Sequence, residues 1–245
     1  AAPALLNSRK ADVYVCWAIS SPISSLLEAL ESFLDLPHRL EGARGPPRPR
    51  DRDKTFFWIS TFSLRNHTPA PAPAPPSREH VLYLTSLGLI IESIGHMVVL
   101  VESWEAPLAL SRAHCLHEVA LSNERKVRIE LVMGDSARQK FAHAFAKDFD
   151  PMRQLLDRFS IVDLWEAQCA EARDAAFLRE GAEVRGFAPA PEGSQERGAG
   201  KGRAAVNRQL RHVLRAALIR FARGTVARLS AAERPKSLSI DRLGT

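Results

Sequence analysis

The sequence predicts a doubly wound α/β fold: a mostly parallel sheet of about five strands, joined by an additional basic helix near the C-terminus. Three observations lead there. Between residues 12 and 165, short β-branched and aromatic runs alternate with apolar stretches of helical period. The helical stretches fall between the strand runs, where parallel strands need crossover connections. A chain of 245 residues with 45% apolar content can also bury a core of that size. The expected organisation is an N-terminal arm (1–11), an α/β domain (12–185) with flexible insertions at 37–53 and 66–80, a linker (186–203), a docked amphipathic basic helix (204–228) and a tail (229–245).

Asp12-Val13-Tyr14-Val15-Cys16-Trp17-Ala18 is the first strand run. Ser21 and Pro22 then open a helix, with proline in the first turn, where its missing N–H costs nothing. Ile23, Leu26, Leu27, Leu30, Phe33 and Leu34 share one stripe, as a helix laid on a sheet requires. Arg39, Arg44, Arg48, Arg50, Arg52 and Lys54 make a local positive patch, read as a solvated loop ahead of a phosphate site. Thr55-Phe56-Phe57-Trp58-Ile59-Ser60 is the second strand. The run Pro69-Ala70-Pro71-Ala72-Pro73-Ala74-Pro75-Pro76 lacks sheet donors and cannot continue a helix, which predicts a polyproline-type or disordered surface insertion.

Val81, Leu82, Leu84, Leu87, Leu89, Ile90, Ile91 and Ile94 predict an apolar helix closed by Gly95, and His96 to Val101 a third strand. Ser111 is placed to cap a helix reaching Leu121. Lys126 to Val132 alternates as a strand nearer an edge does. Asp135 or Ser136 is expected to cap the next helix, through about Lys147, with Phe141, Ala144 and Phe145 inward. Phe159 to Asp163 is the candidate fifth strand, and Glu166 to Arg179 another helix. Residues 192–203 are Gly, Ser and charge. Beyond them Val206, Leu210, Val213, Leu214, Ala217, Leu218 and Phe221 form one stripe, with Arg208, Arg211 and Arg215 directed elsewhere.

The net charge of +6 is uneven: residues 181–245 hold 13 Lys/Arg against 5 Asp/Glu. The basic excess therefore belongs to the C-terminal helix and tail, whose expected role is docking with its arginines in water. Binding to nucleic acid or a membrane surface ranks below that. Cys16, Cys115 and Cys169 are odd in number and widely spaced, so no disulfide framework is expected and a reducing, cytoplasmic setting is. No signal peptide is visible. The most apolar window, Val81 to Val101, carries Glu92, Ser93, Gly95 and His96 near its centre and reads as helix then strand, not as a membrane span.

Chemistry concentrates where the third strand meets the following helix, because ligands of parallel α/β sheets sit beyond the carboxyl ends of strands. Glu118, about two turns into that helix, is the candidate to face the crevice; its alternative is an ordinary exposed helix glutamate. His114, Cys115 and His117 do not make a metal site, since adjacent residues point to different sides of a helix. Cys115 beside either histidine lacks a nameable orienting partner for nucleophilic chemistry. No Gly-rich phosphate loop of the Walker or dinucleotide type is present, which leaves a nucleotide-driven motor or an ordinary dehydrogenase unsupported.

Asp12-Val13-Tyr14-Val15, Phe57-Trp58-Ile59-Ser60 with Asn66-His67, Ser93-Ile94-Gly95-His96 and Ser111-Arg112-Ala113-His114-Cys115-Leu116-His117-Glu118 together resemble Toll/interleukin-1 receptor (TIR)-like domains. The nearer likeness is to the algal and protist type often joined to kinesin-light-chain-like tetratricopeptide repeats. It covers residues 12 to 165, with Val206 onward similar to that module's closing helix. The resemblance implies a TIR/flavodoxin-like fold and signalling, with self-association or partner proteins met through its helices. It also implies NAD as a substrate rather than a bound cofactor. Cys115, Leu116 and Glu118 match the family's Trp-Cys-Leu-x-Glu pattern, whose glutamate cleaves the nicotinamide–ribose bond; Trp17, Ser20, Trp104 and Arg112 would line the cleft. His114 stands at that Trp position, and Ser60 replaces an acidic residue of the second strand, as in a module that has lost turnover and kept interaction.

Overall fold

The computed structural model describes residues 10–36, 49–60, 78–169, 174–179 and 199–228. The N-terminal arm through residue 9, Arg39, Arg44 and Arg48 of the positive patch, the Pro-Ala run, most of the expected linker and the tail lie outside them. Four strands, β1 (Val13–Cys16), β2 (Phe57–Ile59), β3 (His96–Leu100) and β4 (Arg128–Val132), form one all-parallel sheet in the order β2-β1-β3-β4. Val15 pairs with both Ile59 and Val98, and Val98 in turn with Glu130. The order reverses direction after β2, and because crossovers are right-handed the reversal sends successive helices to opposite faces. Helix α1 (Ile23–Asp35) covers one face; α2 (Arg78–Ile94) and α3 (Ala113–Glu124) cover the other. This is the doubly wound arrangement.

The pleat divides β1 between two cores. Val13 and Val15 pack with Leu26, Ala29 and Phe33 of α1. Tyr14, Cys16 and Ala18 pack with Leu116 and Val119 of α3 and with Leu210, Leu214 and Leu218 of the C-terminal helix. Gly95, at φ +79°, ends α2 and turns the chain directly into β3 in a conformation that other residues adopt only with strain.

Helix α4 (Asp135–Lys147) starts where expected but is capped differently. Neither Asp135 nor Ser136 caps it from within. Glu28 reaches across from α1 and accepts the backbone N–H of Ser136 at 3.0 Å, tying α1 to α4 with an acid at a helix N-terminus. A Cβ on Gly134 would meet the Glu28 carboxylate at 2.7 Å, so glycine is what allows this approach.

The candidate fifth strand is absent among the described residues. Phe159 and Ser160 close helix α5 (Asp150–Ser160), whose inner face buries Met152, Leu155 and Phe159. The backbone after it finds partners other than a strand. Leu164 N donates to Oδ1 of Asn207 at 3.0 Å and Val162 O accepts from Nε of Arg211 at 2.9 Å, which removes the need for a ladder. Of the helix expected from Glu166 to Arg179, residues 174–179 are helical and 164–168 form turns and a bridge.

The last helix, α6 (Ala199–Arg228), begins five residues before its expected start, inside the expected linker. It packs on β4, α3 and α5, burying Val206, Leu210, Leu214, Ala217 and Leu218. Arg220 donates to the carbonyl of Ile129 at 2.9 Å, so the helix also covers part of the exposed edge of β4. Arg208 and Arg215 face solvent. Arg50, expected in a solvated loop, is instead structural. It donates to the Phe33 and Leu36 carbonyls and lies over the Phe33 ring at 3.7 Å, capping the end of α1. Among the described residues no helix is long and apolar enough to cross a membrane.

Candidate functional site: the β1/β3 switch point

The sheet order places the topological switch point between β1 and β3, and α3 runs beneath it. The loop leading there is held by Glu102, whose Oε1 accepts the Leu108 N–H at 2.6 Å and so caps the short 3-10 helix Leu108–Ser111. That helix ends in Arg112, which, not Ser111, is the residue at the N-cap position of α3. A parallel bridge between Arg112 and Gln168 fixes the start of α3: Gln168 N donates to Ser111 O at 2.8 Å and Ala113 N to Gln168 O at 2.9 Å.

Glu118 points inward. It is 7% exposed, and its Oε1 accepts the phenolic O–H of Tyr14 at 2.8 Å. Burial is the largest influence on its carboxyl and pushes its pKa up to about 7; hydrogen bonds from Tyr14 and Cys16 oppose that rise. The carboxyl therefore sits beneath the last half of β1, against Tyr14 and the strand's final residue, Cys16. The Cys16 thiol donates to Cys115 O at 3.6 Å and is raised well above the ordinary thiol range by its interaction with Cys115 and by burial.

The other expected residues divide among three places. Arg112 donates to Oγ of Ser20 at 2.9 Å, so these two do meet, at the rim beyond β1. Trp17 follows Val15 in the pleat and packs with the α1 face, on the side of the sheet away from Glu118; its indole N–H is buried and has no acceptor among the described residues. Trp104 packs edge-on against Phe141 at 5.9 Å, within the core shared by α4 and α6. An open cavity of about 650 Å³ lies instead between Leu108, Ser111, Arg158, Asp163, Gln168 and Arg211, and none of the five expected residues lines it.

One constellation escaped the sequence reading altogether. His114, Cys169 and Asp174 bring their ligating atoms within 4.8 Å of one another. The signal was slight: Cys169 and Asp174 are five residues apart, but their distance in sequence from His114 is bridged only by the Arg112–Gln168 pairing.

The fold and switch point define an α/β protein with a doubly wound, all-parallel sheet. No known protein family, curated protein or solved structure matches the chain.

Proposed function

We propose that the chain is a TIR-like signalling domain that works by self-association, through an aliphatic row on α1. One observation carries this reading. Ile23 and Leu27, expected on the inner stripe of α1, are 56% and 57% exposed, and Ile19 in the turn before them is 67% exposed. Ile23 and Leu27, four apart in α1, share a helix face, and apolar groups left together in water mark contact surfaces more often than scattered ones do. An uncharged row suits a second copy of the same chain, because a two-fold interface brings the same patch against itself. The three free cysteines fit a reducing, cytoplasmic setting. Sedimentation of the full chain over a range of concentrations tests the reading: association that Ile23→Asp with Leu27→Asp abolishes, with helicity retained, supports it. A chain monomeric at every concentration, or a variant that associates unchanged, refutes it.

A second reading is favoured by a different observation, the ionisation of Glu118 near neutrality. A carboxyl poised there suits a general base. In NAD cleavage the nicotinamide nitrogen would leave with the glycosidic electron pair, water would add to the ribosyl cation, and Glu118 would take the water's proton. Nicotinamide release by the native chain and by Glu118→Gln decides: release lost in the variant supports turnover, and equal release removes Glu118 from it.

A further inference from the structure

His114 is the second residue of α3, and its imidazole is engaged from both sides. Nδ1 lies 3.7 Å from Sγ of Cys169, and Nε2 lies 3.3 Å from Oδ2 of Asp174. The Asp174 carboxylate is buried, while the His114 side chain is 37% exposed and Cys169 is half-buried. Cys169 is not on a loose strand of chain: the residue before it, Gln168, is pinned by two backbone hydrogen bonds to the start of α3. From this geometry we propose that Cys169, His114 and Asp174 form a thiol–imidazole–carboxylate relay that makes Cys169 a modification site for small soft electrophiles, low-molecular-weight disulfides in particular.

The division of labour follows from the atoms. Asp174, with Oδ2 3.3 Å from Nε2, would favour the proton on Nε2 and leave the Nδ1 lone pair toward the thiol, and it would steady the imidazolium that forms when Nδ1 takes the thiol proton. The Cys169 thiolate then attacks one sulfur of a disulfide RSSR. A Cys169–S–S–R bond forms, the S–S bond of RSSR breaks, and RS⁻ leaves with the electron pair and recovers the proton from His114 as RSH. Cys169 is oxidised and one half of RSSR is reduced. The same three ligating atoms lie within 4.8 Å of one another, so a bound metal is the competing occupant that the test must separate from the relay. The other two thiols do not compete: Cys16 and Cys115 are buried, and Cys16 is also held protonated.

The test is the rate of alkylation by iodoacetamide in the folded chain at pH 7, read cysteine by cysteine by peptide mass spectrometry, with mixed-disulfide formation from oxidised glutathione as a second readout. Cys169 is expected to react first, and about tenfold faster than in His114→Ala or Asp174→Asn, the gain being the larger thiolate fraction reduced by its lower nucleophilicity. Rates in both variants within twofold of native would overturn the relay. So would a zinc ion retained at one per chain that blocks alkylation until chelated. The native chain alone also decides, whether or not the variants fold: Cys169 reacting more slowly than free glutathione at the same pH refutes the proposal.

Discussion

Replacing Glu118 by glutamine isolates the energetic consequence of burying an acid under β1. In the folded chain its carboxyl ionises near pH 7, against 4.5 when unperturbed. Between those values the folded state binds a proton that the unfolded chain has released, so stability falls as pH rises, and above 7 the whole cost is present. At 1.36 kcal/mol for each pH unit of displacement, that cost is about 3 kcal/mol. Glutamine matches the shape, keeps an acceptor for the Tyr14 hydroxyl and cannot ionise. Glu118→Gln should therefore be more stable than the native chain by about 3 kcal/mol at pH 8 and lose that advantage steadily toward pH 4.5. Urea unfolding followed by tryptophan fluorescence at half-unit intervals measures it. Tyr14→Phe, which removes a hydrogen bond that favours the ionised form, should move the native chain's descent to higher pH. A Glu118→Gln advantage that is constant from pH 5 to 8, or that grows toward acid, would refute the reasoning and show that the carboxyl is solvated.

Two further predictions concern the sheet edge and the last helix. Glu130 on β4 has the opposite sign: burial raises its carboxyl, but His96, Arg128 and Arg50 outweigh burial and hold it at about 2. Its contribution is complete above pH 4.5 and lost as pH falls toward 2, so Glu130→Gln should cost about 2 kcal/mol near pH 6, discounted for partial exposure, and flatten acid unfolding. Leu214, fully buried on the inner face of α6, should cost about 2–5 kcal/mol as alanine, within one cooperative urea transition; a separate early transition would show that α6 folds apart from the sheet.

The strands and most helices were legible because their signals are local. Val13–Cys16 and His96–Leu100 are dense in β-branched residues, Gly95 sits where a left-handed residue must follow a helix, and Asp135–Lys147 keeps helical period. The failures share a cause: partners distant in sequence. Ile161 and Val162 look like strand residues, but Asn207 and Arg211 satisfy the backbone there from α6. The cap of α4 comes from Glu28, over a hundred residues away. Arg50 read as loop charge because its acceptors, Phe33 and Leu36, belong to another element. Of the residues that the family resemblance implies for the cleft, Ser20 and Arg112 meet each other beyond β1. The pleat then decided the rest: Tyr14 and Cys16 face α3, so Trp17 faces α1, and a cleft containing both Trp17 and Glu118 requires them to be on one side of the sheet.

The same reasoning separates two residues of α3 that the sequence grouped together. His114 and Glu118 are four apart and share a helix face, yet they meet different surroundings, because the sheet covers only part of that face. At Glu118 the face lies under β1, and the carboxyl is closed in by Tyr14 and Cys16. One turn earlier the helix projects past the strand, and His114 meets Cys169 and Asp174 at partial exposure. A group that must accept protons from something arriving in solution needs both a partner and access. Glu118 has the perturbed ionisation without the access, and its burial costs stability at neutral pH. His114 has two oriented partners and an open edge, so the reactive end of this helix is its first turn.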